Sequence, residues 1–139
     1  MAGKKQRNSM KRVITFGTYD VFHLGHLRLL QRAAEYGDSL VVGVSSDALN
    51  FKKKGRNPIY SQHDRMEIVS GLKVVDSVFL EEDLELKMEY IKSQKADVLV
   101  MGDDWAGKFD FCQAICEVVY LERTPSISTT ALIEVIKEI

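Results

Sequence analysis

Ten residues, "GTYDVFHLGH" at 17–26, carry the chain's most concentrated chemistry. His23 and His26 are two of its three histidines, separated only by Leu24 and Gly25. Gly17 and Gly25 let backbone come close to a ligand. A helix opening near Gly25 would point its free N–H groups at the same spot, a natural phosphate site. The two imidazoles add donors there, as cations or as neutral rings. Such a cluster can stabilise the extra negative charge at a phosphorus undergoing in-line displacement. The pair reads also as a capping or packing device, or as half of a zinc site. For zinc no third ligand is suggested by spacing, since His63 is distant and alone. Neither G-x-x-x-x-G-K-[ST] nor G-x-G-x-x-G occurs, so any phosphate site works by other means.

These histidines need a strand before them and a helix after them. Residues 12–16, "RVITF", alternate and are β-branched, which predicts a strand. Residues 24–36 place apolar side chains at helical spacing, with Gly37 just past the end. Residues 39–44, "SLVVGV", are a continuous apolar run, as in a strand buried on both faces. Residues 52–58, "KKKGRNP", predict a basic loop. A helix is expected over 61–72 with Ser61 as its N-cap, a strand over 74–80 and a charged helix over 84–94. A buried strand follows at 96–101, then a loop passing into a short helix, a last strand at 117–121 and a last helix at 128–139. Strand alternates with helix about five times, which predicts an α/β Rossmann-like three-layer sandwich, a five-stranded parallel sheet with helices on both faces. Ligands of such sheets sit beyond the carboxyl ends of the strands. The segments to watch are therefore 17–26, 46–57, 102–108 and 122–129.

At 139 residues the chain is read as one domain over 11–139, with 1–10 a disordered N-terminal extension or tag and Met10 a natural start. Lysine plus arginine number 19 against 20 acidic residues, a balance that argues for neither nucleic acid nor an anionic membrane surface as partner. No apolar run approaches the ~18 residues a membrane span needs, and the basic N-terminus lacks the apolar core of a signal peptide. Cys112 and Cys116, four residues apart, read as a metal pair or as two small buried residues, the second agreeing with the lack of any further cysteine. Nothing demands an oxidising compartment, so a cytoplasmic protein is expected.

Three segments in order also carry a family resemblance. "GTYDVFHLGH" resembles the signature of the HxGH nucleotidyltransferase superfamily. "RTPSISTT" at 123–130 resembles the second signature, R-T-x-G-I-S-T, of its cytidylyltransferase branch. "VMGDDWAGKFDF" at 100–111 is similar to a segment of the glycerol-3-phosphate cytidylyltransferases. The likeness runs from about Lys11 to Ile139.

The resemblance implies transfer of CMP from CTP to glycerol 3-phosphate, giving CDP-glycerol and pyrophosphate for a cell-envelope polymer such as teichoic acid or capsule. The acceptor's phosphate oxygen would attack the α-phosphorus directly. Mg²⁺ would arrive on the triphosphate, with no metal held by the chain itself, and the family is typically homodimeric. His23, His26, Lys53 and Arg123 are the implied catalytic residues. Gly17, Thr18, Tyr19, Asp20, Gly102, Asp104, Thr124, Ser128 and Thr129 would join the histidines and Arg123 around the nucleotide. Lys53, Arg65, Lys73, Asp76 and Trp105 would hold the acceptor, with Lys54 or Arg56 as a second basic contact. Arg65 also reads as a solvated arginine and Trp105 as a packing aromatic. Three departures stand out. Lys73 replaces a usual arginine, and Pro125 and Ser126 replace an acidic residue and a glycine, which bears on the choice of nucleotide. Other readings keep the chemistry with ATP or another phosphorylated alcohol, or make the chain a non-catalytic nucleotide-binding subunit.

Overall fold

The computed structural model describes residues 10–123 and 128–139. Five strands are β1 (Arg12–Gly17), β2 (Ser39–Ser45), β3 (Ser77–Glu81), β4 (Val98–Gly102) and β5 (Glu117–Leu121). Five helices are α1 (Leu24–Ala34), α2 (Asp47–Lys54), α3 (Gln62–Ser70), α4 (Lys87–Ser93) and α5 (Thr129–Lys137). Short 3₁₀ turns occupy Leu84–Leu86, Asp103–Trp105 and Asp110–Ala114.

All strand pairs are parallel, in the order β3-β2-β1-β4-β5. The chain begins at the centre, builds outward through β2 and β3, then returns to build β4 and β5 on the other side. Connections leave in opposite directions on either side of the β1–β4 boundary, and a crevice opens there at the carboxyl edge.

Side chains alternate across the sheet and make two cores. Val13, Leu40, Val42 and Val100 face one layer with Leu30 and Ala33 of α1 and Val69 of α3. Ile14, Phe16, Val41, Leu99 and Met101 face the other, with Ile91 of α4, Phe109 and Cys112. Cys112 is buried and Cys116 partly so, both as free thiols, which agrees with the packing reading of this pair. At Gly43 a Cβ would fall 2.6 Å from Phe16 Cδ2 and 2.8 Å from Phe79 Cζ. Its absence admits an edge-on contact of those rings at 5.7 Å.

Three elements differ from expectation. The basic stretch is no loop up to Lys54. α2 is capped by Ser46, whose hydroxyl accepts from Leu49 N–H at 3.0 Å, and it opens on Asp47 and closes on Lys52, Lys53 and Lys54. Those charges suit the two ends of its dipole. β3 starts at Ser77 rather than 74, because Val75 turns into the first core before the strand begins. The charged helix divides into a 3₁₀ turn and the shorter α4. The proposed N-terminal extension up to residue 9 lies outside the described residues.

Gly43→Ala should force Phe16 and Phe79 apart and lower stability by about 1–3 kcal/mol, the usual range for overpacking. Urea denaturation measures this; an unchanged midpoint would mean the rings yield freely.

Candidate active site

His23 is the N-cap of α1. Its Nδ1 accepts from Gly25 N–H at 3.0 Å, while His26 Nδ1 accepts from His23 N–H at 3.2 Å. This is a capping box built from two imidazoles where serine and glutamate commonly serve. The rings stack at 3.8 Å between centroids. Since both Nδ1 atoms accept, each neutral ring carries its proton on Nε2. Partial burial pulls His23 below the ordinary histidine range. Burial, then the neighbouring His23, brings His26 down to about 4 against an opposing pull from Asp20. The site therefore offers two neutral Nε2–H donors at pH 7. The first turn of α1 holds no acidic residue, so its positive end is left for an anion.

The loop before α1 is strained and firmly held. Tyr19 and Val21 have φ of 57° and 47°. Such conformations cost of order 1–3 kcal/mol each in residues of this kind. Tyr19 is buried, with its ring edge-on to His26 at 5.5 Å. A Cβ on Gly17 would lie 2.8 Å from the Tyr19 ring, so this glycine makes room for an aromatic under the site. Asp20 clamps the loop from the far side. Its carboxylate accepts from Ile59 N–H at 2.7 Å, Tyr60 N–H at 2.9 Å and Val21 N–H at 3.1 Å, and its carbonyl accepts from the Thr129 hydroxyl at 2.9 Å.

Arg65 works from below. It is 0% exposed, and its guanidinium donates to the carbonyls of Thr18 and Ser45 at 2.8 Å, of Tyr60 at 3.0 Å, and to Asp47 Oδ1 at 2.7 Å. It braces the loops and is not presented to a ligand, which corrects its expected contact with acceptor phosphate. Asn50, buried on α2, accepts from the Thr18 hydroxyl at 2.9 Å and donates to the Ser46 carbonyl at 3.0 Å. Sequence reading did not single it out.

Three adjoining cavities meet at Asp104. One of about 220 Å³ brings together His23, His26, Gly102, Arg123, Ser128 and Thr129. Residues a hundred positions apart thus share one space with the amino ends of α1 and α5. Ser128 caps α5 by accepting from Ala131 N–H at 3.1 Å, and that first turn also lacks an acid. A second cavity, about 400 Å³, is lined by Gly17, Thr18, Tyr19, Asp20, His26 and Trp105, with Lys54 and Arg56 at its wall. The third, about 300 Å³, adds Lys53, Lys54, Glu81 and Lys87 to Thr18 and Trp105. Lys54 lines both of the larger spaces and Arg56 only one of them. Trp105 packs its ring 5.3 Å from Phe109 while still facing the cavities, so packing and lining coexist.

Two expected acceptor residues lie at the wrong edge of the sheet. Asp76 Oδ2 accepts from Leu40 N–H at 2.7 Å, at the start of β2, and exposed Lys73 sits in the turn just before it. The carboxyl edge, where the cavities open, is at the other end of the strands. Conversely, Lys87 and Glu81 were not anticipated. Lys87 sits in a segment that reads as a solvated charged helix, yet both residues are buried beneath the third cavity. Burial lowers the Lys53 pKa, Glu81 opposes the fall, and Lys54 and Lys87 add to it. Thr124, Pro125 and Ser126 lie outside the described residues.

Among the described residues no group of three or more histidine, cysteine or acidic side chains is placed to hold a metal ion, and each Asp20 oxygen accepts from a backbone amide.

A family model described as cytidylyltransferase-like matches residues 14–135. The chain is 48% identical over 125 residues to a glycerol-3-phosphate cytidylyltransferase of Bacillus subtilis, covering 90% of this chain and 96% of that one. It is 45% identical over 123 residues to the protein of the same name from Staphylococcus aureus, covering 88% and 92%. Among solved structures, a lipopolysaccharide core biosynthesis protein of Thermoplasma volcanium superposes with a TM-score of 0.71 at 29% identity, covering 83% of this chain and 98% of that one.

Two outcomes are expected. Arg65→Met removes a buried cation from three carbonyls and Asp47, and should lower stability by about 3 kcal/mol or more by urea denaturation; a loss below about 1 kcal/mol would show that water replaces the brace. His26 should make stability pH-dependent. Its folded value near 4 lies below 6.5, so between those values the unfolded chain binds the proton that folded His26 excludes. Stability is then complete above pH 6.5 and declines as the pH falls toward 4. His26→Asn keeps an acceptor for His23 N–H and should flatten that decline; an unaltered slope would assign it to other groups.

Proposed function

Because the chain belongs to the cytidylyltransferase-like family, we propose that it transfers CMP from CTP to glycerol 3-phosphate, releasing pyrophosphate and forming CDP-glycerol. The observation that carries this reading is the shared cavity of His23, His26, Arg123 and the amino ends of α1 and α5. The triphosphate is bound there by Nε2–H donors, the Arg123 fork, backbone N–H groups and two helix dipoles. An acceptor phosphate oxygen attacks the α-phosphorus in line. The bond to the β-phosphate bridging oxygen breaks, and pyrophosphate leaves. His23 and His26 donate to the phosphoryl oxygens as charge builds in the five-coordinate transition state. Neutral imidazoles suit this role because their donors are fixed in place before the reaction begins.

The acceptor occupies the adjoining 300 Å³ cavity, with its anionic end among Lys53, Lys54 and Lys87. Clustered lysines next to a buried carboxylate favour an anionic partner over a neutral alcohol. Asp104, common to all three cavities, lies between nucleotide and acceptor. Mg²⁺ enters as part of the CTP complex, a substrate rather than a resident cofactor.

The reading extends to a cytoplasmic enzyme, since CTP is its substrate, and to CDP-glycerol as the activated donor for an envelope polymer such as teichoic acid or capsule. Among the described residues no helix is long and apolar enough to cross a membrane. The reading includes a homodimer, for which the exposed Tyr60 and Ile68 lining a shallow groove on α3 offer an apolar face.

The test is pyrophosphate release with CTP, ATP, UTP and GTP, each against a panel of phosphorylated alcohols. Turnover should require CTP with glycerol 3-phosphate. His23→Ala and His26→Ala should each lower kcat by about 10²–10³, the usual effect of losing one oxyanion donor. Tight CTP binding with no release for any pair would make the chain a nucleotide-binding subunit; turnover with ATP or another alcohol would change the partners and keep the chemistry.

A further inference from the structure

Lys87 and Glu81 form an ion pair at 2.6 Å, with each side chain only 2% exposed. Glu81 ends β3 at the carboxyl edge and Lys87 opens α4, so the pair joins the sheet to the layer that covers it. The other carboxylate oxygen accepts from the Ser45 hydroxyl at 3.1 Å. The ammonium rests 3.6 Å from the centre of the Phe16 ring and 4.9 Å from that of Phe109. Both residues line the cavity that Lys53 and Lys54 also line.

We propose that Glu81 is a positioning residue, holding Lys87 ionised and fixed at the base of this cavity so that Lys87 can receive the acceptor's anionic group. The inference rests on reading the cavity as the acceptor's. A lone lysine buried this deeply tends to lose its proton. Burial lowers the Lys87 pKa, and the charge and hydrogen bond of Glu81 oppose that fall. The groups facing Lys87 from each side sharpen the point. Lys53 of α2 repels its charge, Lys54 lines the same cavity, and the thiol of Cys112 lies in the 3₁₀ turn before β5. Asp104 lines the same space from the turn after β4. The aromatic faces attract a cation but offer no lone pair. Among the described residues, only Glu81 combines full burial with a short bond to the ammonium.

Glu81→Gln tests this, because the amide preserves size and hydrogen-bonding capacity while removing charge. The acceptor KM should rise at least ~10-fold at alkaline pH and recover progressively as the pH falls, because acid restores the proton that a buried, unsupported Lys87 gives up. The CTP KM should stay unchanged. A double-mutant cycle separates the alternatives. In a Lys87→Met background, adding Glu81→Gln should alter the acceptor KM by less than about twofold, because Glu81 acts through Lys87. This comparison carries no unpaired buried lysine and serves even if Glu81→Gln alone folds poorly; urea midpoints verify the fold of each variant. An acceptor KM raised equally at every pH, or unmoved at all, overturns the role of Glu81. So does a large effect of Glu81→Gln in the Lys87→Met background. If Lys87→Met itself leaves the acceptor KM unchanged, the assignment of the cavity to the acceptor fails instead.

Discussion

At the start of α1, each of two histidines gives its Nδ1 lone pair to a backbone amide, one to Gly25 and the other to His23. Ordinary caps satisfy orphan amides and have no further task. Imidazole has a second nitrogen, so the same bonds that cap the helix also decide where the remaining proton sits. The histidines thereby become fixed Nε2–H donors without ionising. Burial favours the neutral form of both rings, and the neighbouring His23 adds to this at His26. Capping and ligand binding are compatible here because they use opposite ends of one ring.

That arrangement is useful only if the preceding loop keeps its strained shape. Tyr19 and Val21 stay in the left-handed region because the loop is gripped on several sides. Asp20 ties it to the segment after α2 and to the start of α5, and Arg65 ties it to β2 and α2. Through Asp20 and Thr129, the first loop and the last helix become one unit although they lie 109 positions apart. The sheet order supplies the geometry, since β1 is central and the crevice beside it receives loops from both halves.

Much of this was legible in the sequence. Apolar runs such as "SLVVGV" and "VLVMG" mark buried parallel strands because no solvent-facing alternation interrupts them. The paired histidines declared themselves by type and spacing at a strand–helix junction. α2 was hidden because three lysines before Gly55 and Pro58 resemble a loop, while its cap Ser46 and first-turn Asp47 are short-range signals easily outweighed. The burial of Arg65 and Lys87 was hidden for a related reason. Charged residues on amphipathic segments are ordinarily solvated, and only tertiary structure reveals which ones find buried partners. Lys73 and Asp76 were assigned by likeness to a family pattern, which gives position along the chain but not the end of the sheet on which a turn falls.

The account comes down to two imidazoles acting as neutral donors toward a nucleotide phosphate tail held also by Arg123. Side-chain ¹⁵N NMR of the histidines, with CTP titrated in at pH 7, tests this most directly. His23 and His26 should both be Nε2–H tautomers in the free protein. Their Nε2 resonances should shift on adding CTP, while His63 remains still. Finding Nδ1–H tautomers, or Nε2 signals that saturating CTP does not move, would contradict the account.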